Sequence, residues 1–199
     1  MRFIGITGGV GAGKSEILGY LAKKPDTRVM LADEIAHELM SPGTECYDRI
    51  CETFGAEDIF LPQGGLNRGK LAAVIFSDEA KRRQMNAIVH PAVRVYVEKE
   101  AAREKQGGKR KLLVLEAALL IEEHYDEICD ELWYIYTRED IRRERLMASR
   151  GYSTEKVDRI FASQLTEKVY REHCRVVIDN TGSVEETFAQ IDRALSEKK

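Results

Sequence analysis

Near the amino terminus the chain reads Gly8-Gly9-Val10-Gly11-Ala12-Gly13-Lys14-Ser15, set between an apolar run at residues 2–7 and an amphipathic run at residues 14–24. Glycines at this spacing let a backbone wrap closely around an anion without a clashing Cβ. The successive N–H groups and the helix that follows then face phosphate oxygens. Lysine supplies a point charge to the β and γ phosphates, and the serine hydroxyl is a Mg²⁺ ligand. Strand, phosphate loop and helix in this order define a P-loop. No Gly-x-Gly-x-x-Gly frame can be drawn through these glycines, so a dinucleotide fold is excluded. The expected nucleotide-binding set is Gly8, Gly9, Gly11, Ala12, Gly13, Lys14, Ser15 and Glu16.

A P-loop needs a parallel sheet behind it, and the rest of the chain supplies one. Short apolar runs rich in branched or aromatic residues recur at 28–32, 112–115, 132–136 and 176–179. Helical patterns fill the gaps: 45–54 ending at Gly55 as a C′ residue, 78–104 interrupted at Pro91, and 141–149 ending near Gly151. Ser183 and Glu186 form a capping box that opens a last helix. Strands alternating with helices predict an α/β fold, a five-stranded parallel sheet flanked by helices on both faces. Two helical stretches without strands, 61–97 and 138–172, read as a substrate-binding insertion and a lid over a core of 1–60, 98–137 and 173–199.

Composition narrows the partners. The 199 residues are 43% hydrophobic and 33% charged, with net charge −3. That is enough for a packed core and gives no basic face for nucleic acid. No apolar run reaches the roughly 20 residues that span a bilayer. Cleavage of a leader would remove the P-loop, so a cytoplasmic protein is expected. Cys46, Cys51, Cys129 and Cys174 make no Cys-x-x-Cys pair and read as reduced, mostly buried thiols.

Several side chains carry two readings. Glu116 ends the run 112–115 and suits either the Mg²⁺ shell, as a Walker B acid, or an ordinary strand end. Asp33 follows the second strand. Ligands bind outside the carboxyl ends of strands in such sheets, which places Asp33 beside the P-loop as a base for an acceptor hydroxyl. It reads equally as the N-cap of the next helix. Arg138, Arg142, Arg143, Arg145 and Arg150 crowd the second insertion, with Arg142 and Arg145 on one face. They suit a lid closing on a triphosphate, but the interleaved Glu139, Asp140 and Glu144 favour a solvated charged face. His90-Pro91 reads as helix punctuation.

These pieces in order resemble the dephospho-CoA kinase family over essentially the whole chain. The matching segments are 7–15, Ala32-Asp33-Glu34-Ile35-Ala36-His37, Pro42-Gly43, Phe54-Gly55, Gly65-Leu66-Asn67-Arg68, His90-Pro91, Leu119-Leu120-Ile121-Glu122, Arg145-Leu146, Gln164 and Ile178-Asp179-Asn180. The resemblance implies a fold like that of nucleoside monophosphate kinases. It implies transfer of the ATP γ-phosphoryl group, with Mg²⁺, to the ribose 3′-hydroxyl of dephospho-CoA. By position it makes Asp33 the base, Lys14 and Arg145 its catalytic companions, and Arg68 and His90 substrate-binding. Asn180 lies where adenine is received. Expected partners are the small molecules ATP and dephospho-CoA, with no nucleic acid or membrane, and the chain itself a monomer or weak oligomer. The chain departs from the family pattern at Leu31 (usually Asp), Ala118 (Pro), Arg142 (Gln), Ser149 (Arg) and Arg175 (often Asp). The alternatives on the same loop are another small-molecule kinase, for a nucleotide or nucleoside, and a regulatory nucleotide switch.

Overall fold

In a computed structural model that describes residues 1–197, five strands form one sheet in the order β2-β3-β1-β4-β5. They are β1 (Arg2–Thr7), β2 (Thr27–Leu31), β3 (Leu112–Glu116), β4 (Glu131–Tyr136) and β5 (Val176–Asp179). β1 pairs in parallel with β3 on one side and β4 on the other, and β4 with β5. The sheet is the five-stranded parallel one that the alternating pattern predicts. β1 is central, so the loop that follows it emerges where the strand order reverses, the usual ligand position in such sheets.

The chain divides into two compact units, Met1–Met30 with Glu104–Lys199, and Leu31–Arg103. In the first, α1 (Lys14–Ala22) buries Ile17, Leu18 and Leu21, and the strands bury Ile4, Ile6, Leu113, Leu115, Trp133 and Ile135. Three helices, α6 (Glu139–Arg150), α7 (Thr154–Ala162) and α8 (Glu167–His173), fill residues 138–172, and α9 (Val184–Ser196) closes the unit. α6 ends at Gly151 with φ 61°, the left-handed cap that glycine tolerates. α9 opens with the capping box between Ser183 and Glu186 that the sequence announces.

The second unit holds α2 (Ala32–Leu39), α3 (Glu45–Phe54), α4 (Arg68–Ser77) and most of α5 (Glu79–Gly107). Its own core comprises Ile35, Ile50, Phe54, Ile59, Met85, Ile88, Val93 and Val97. Two expectations change here. α5 runs unbroken through Pro91, because the apolar stripe Ile88, Val89, Val93 and Val97 buries on one face and outweighs the lost backbone bond. Gly55 is not a left-handed cap, since its φ is −58°. Its glycine is explained by close approach, a Cβ there lying 2.8 Å from the Cys51 carbonyl oxygen.

Candidate functional site

The P-loop leaves the buried end of β1 and enters α1 at Gly13, which holds φ 84° and offers no side-chain cap to the helix. The leading amides of α1 therefore point at whatever anion the loop holds. Two neighbouring strand ends fix the loop. The Thr137 hydroxyl, just beyond β4, donates to the Ala12 carbonyl at 3.1 Å. The Asn180 amide, just beyond β5, donates to the same carbonyl at 2.8 Å. Asn180 is buried, 4% exposed, and its Oδ1 accepts from the Thr187 hydroxyl at 2.9 Å. A Cβ at Gly13 would lie 2.3 Å from Asn180 Nδ2, so glycine lets this brace approach.

Lys14 folds back over the loop. Its Nζ donates to the Gly8 carbonyl at 2.8 Å and stands 3.6 Å from Glu116 Oε1. The register Ile6↔Glu116 brings that carboxylate level with the loop. Ser15 is exposed at the start of α1. Among the described residues no cluster of three or more His, Cys, Asp or Glu could hold a metal by itself. A hydroxyl and one carboxylate completed by substrate phosphates is how Mg²⁺ is normally held, and Ser15 with Glu116 fits that donor set. Within the loop, the Ala12 N–H is used on the Gly9 carbonyl at 3.1 Å, and the Glu16 N–H on the Gly13 carbonyl at 3.2 Å. Both residues shape the turn through these bonds.

Five of the arginines of residues 138–172 separate into two groups. Arg138 pairs with Asp140, Arg143 with Asp158 and Glu139, and Arg171 with Glu167. These are the solvated charges that the interleaved acids suggest. Arg142 and Arg145 instead turn onto the loop. Arg145 Nη2 donates to the Asn180 carbonyl at 3.2 Å. Arg142 Nε donates to the Val10 carbonyl at 3.0 Å, its Nη2 to Gln164 Oε1 at 2.5 Å, and its guanidinium lies 4.4 Å from the Phe161 ring centre. Burial lowers the Arg142 pKa. The sequence pattern puts Arg142 and Arg145 on one face, although the interleaved acids favour a solvated reading, and a further signal was present. Arg143 has Glu139 four residues before it, whereas neither Arg142 nor Arg145 has an acid at four residues in either direction.

The remaining residues belong to the second unit. Asp33 is exposed in the first turn of α2, whose N-cap is Leu31, and among the described residues its carboxylate has no hydrogen-bond or ion-pair partner. Arg68 opens α4 after the N-cap Asn67 and is exposed. It lines a 170 Å³ cavity with His37, Pro42, Leu66 and Leu71. His90 is half-buried in α5. The next residue, Pro91, lines a second cavity of 270 Å³ with Arg49, Tyr96 and Lys99. Arg68 and His90 are thus not brought into one of these cavities.

A family model for dephospho-CoA kinase matches residues 2–186. The chain is 41% identical to the dephospho-CoA kinase of Oceanobacillus iheyensis over 193 residues, covering 96% of this chain and 95% of that protein. A solved structure from Thermus thermophilus aligns over 100% of this chain and 98% of its own, with TM-score 0.78 and 28% identity. The dephospho-CoA kinase structure from Campylobacter jejuni shares the fold at TM-score 0.74 and 18% identity, over 99% of this chain and 97% of its own.

Proposed function

This chain belongs to the dephospho-CoA kinase family, and on that premise we propose which of its residues carry the reaction. The activity is ATP-dependent phosphorylation of the ribose 3′-hydroxyl of dephospho-CoA, giving CoA and ADP. It is a phosphotransfer to an alcohol.

Phosphoryl transfer needs little covalent help from a protein, so catalysis rests on positioning and on charge. The observation that carries the assignment of roles is Lys14, its ammonium at 2.8 Å from the Gly8 carbonyl and 3.6 Å from Glu116. That places a cation on the loop with a carboxylate to hand. Lys14 steadies the β and γ phosphates, and Arg145 adds charge at the Gly13 end. Ser15 and Glu116 would hold Mg²⁺, which when bound offsets charge on the phosphate oxygens. Asn180 serves ATP through the loop it braces, since its side-chain amide and carbonyl are both engaged within the protein.

Asp33 accepts the proton of the acceptor hydroxyl. Its exposure and lack of a described partner support that role, as a carboxylate not spent on a cap. Arg68, beside its cavity, and His90 in α5 serve the acceptor. Residues 61–97 hold that acceptor and residues 138–172 close over ATP. The chain works as a monomer or weak oligomer in the cytoplasm.

An ADP-release assay offering dephospho-CoA, AMP, UMP and CMP tests the acceptor. Turnover with dephospho-CoA alone is expected. Turnover with a nucleoside monophosphate and none with dephospho-CoA would overturn the reading.

A further inference from the structure

Two guanidiniums rest on the P-loop, and they rest at opposite ends of it. Arg145 lies at the α1 end, its Nη1 3.3 Å from where a Cβ on Gly13 would be. Arg142 lies at the β1 end, its Nη2 2.2 Å from where a Cβ on Gly9 would be. A side chain on Gly9 would have to displace that guanidinium. Arg142 is held there from three sides, by the Val10 carbonyl, the Gln164 side chain and the face of Phe161.

Its partners are all neutral. Among the described residues neither Arg142 nor Arg145 has a carboxylate within ion-pair distance, unlike Arg138, Arg143 and Arg171. A half-buried cation with no counter-ion loses hydration that carbonyl and amide acceptors only partly replace. The lowered Arg142 pKa, caused first by burial, agrees with that deficit. A guanidinium carries five N–H donors, and Arg142 commits two of them to the protein. An anion at the loop would complete it.

Which part of the anion follows from Lys14. A P-loop lysine serves the β and γ phosphates, and Lys14 Nζ sits on the Gly8 carbonyl, one residue from Gly9. The loop therefore has a γ-phosphate end at Gly8 to Val10 and an opposite end at Gly13. We propose that Arg142 contacts the terminal phosphoryl group of the bound triphosphate, while Arg145 contacts the nucleotide nearer α1. This rests on the kinase reading and divides between two arginines a duty that the family resemblance assigns to Arg145.

The test compares the wild-type chain with Arg142→Gln, Arg142→Lys and Arg145→Gln. Calorimetry gives affinities for ADP and for the β,γ-imido analogue of ATP, each with Mg²⁺, and steady-state assays give kcat with dephospho-CoA. Arg142→Gln should weaken the triphosphate analogue about tenfold and ADP by less than about threefold, and lower kcat about 10²–10³-fold. Arg142→Lys should fall between, keeping the charge but losing the planar fork. Arg145→Gln should weaken both nucleotides together. If Arg142→Gln weakens ADP and the analogue equally, Arg142 only supports the loop and the proposal fails. It fails also if neither affinity changes or if kcat stays within about threefold. The affinity ratio needs no acceptor. A wild-type chain inert toward dephospho-CoA would therefore sink the acceptor reading while leaving the Arg142 contact to be judged by the ratio.

Discussion

Asp33 sits at the second residue of α2, and an apolar residue, Leu31, stands at the N-cap. The competing role for this aspartate, satisfying the free amides of the helix start, is therefore not the one its side chain performs. What remains is an exposed carboxylate without a described partner, in a first turn whose dipole favours negative charge. Asp33→Asn keeps the shape and removes the basicity. ATP affinity should stay within about threefold while kcat falls about 10²-fold or more, as for loss of a general base. Steady-state kinetics with dephospho-CoA beside calorimetric ATP titration checks this. An unchanged kcat would leave Asp33 as a dipole-complementing acid and nothing more. The same scale shows where side-chain chemistry was hard to read. Arg142 and Arg145 share a helix face, but the acids interleaved with them and with Arg143 favour a solvated reading for all three. The partners in the fold separate them, acids for Arg143, the Val10 carbonyl of the phosphate loop for Arg142 and the Asn180 carbonyl beside that loop for Arg145.

Strands and helices set the loop's shape through their ends. Thr137 after β4 and Asn180 after β5 both donate to the Ala12 carbonyl, so two strand termini clamp one peptide of the P-loop. Asn180→Ala removes one of those bonds and the acceptor for Thr187, although Thr137 still reaches Ala12 and Thr187 still has the Ser183 carbonyl at 3.1 Å. The expected cost is about 1–3 kcal/mol, a fall in Tm of about 2–10 °C for a chain this size. The KM for ATP should rise more than kcat falls, because the brace shapes ground state and transition state alike. Thermal melts and ATP saturation curves measure both, and a lower Tm with unchanged KM would make Asn180 a structural joint only. Such ties are invisible in sequence because they join residues 125 and 168 positions apart. The elements themselves were legible. β1 and β5 carry the bounds the apolar runs suggest, β3 and β4 differ by a residue at one end, and β2 is shifted by one residue at both. Periodicity reports burial, and burial decides strand and helix. Proline and glycine were the weaker guides: packing of α5 carries it through Pro91, and Gly55 answers to a close contact instead of a left-handed turn.

At the scale of the molecule, the P-loop at the end of a central strand made the first unit readable, because that one motif requires a parallel sheet and a following helix. The division at Leu31 was not readable, since it falls at a strand-to-helix junction with no glycine or proline to mark it. The first unit also concentrates a set of groups that set its response to alkali. Burial pushes the Cys174 thiol up from 9.0 to about 12, and burial with nearby Asp130 and Asp126 does the same for Cys129. Burial, then Glu167, raises Tyr134 from 10.0 to about 12. Each is an acid that the folded chain keeps protonated at a pH where the unfolded chain has lost its proton. The native state then binds more protons than the unfolded one, so stability falls as pH rises. The contribution is fully present below about pH 9, and it declines from there toward pH 12. Thermal melts from pH 7 to 11 should show a Tm that holds to about pH 9 and then drops progressively. Cys129→Val and Cys174→Val remove the two thiols and should flatten the limb between pH 9 and 10, leaving the tyrosine part above it. A wild-type Tm that stays level to pH 11 would mean that these groups meet solvent in the native state, and an unflattened limb in the double variant would assign the alkaline loss to other residues.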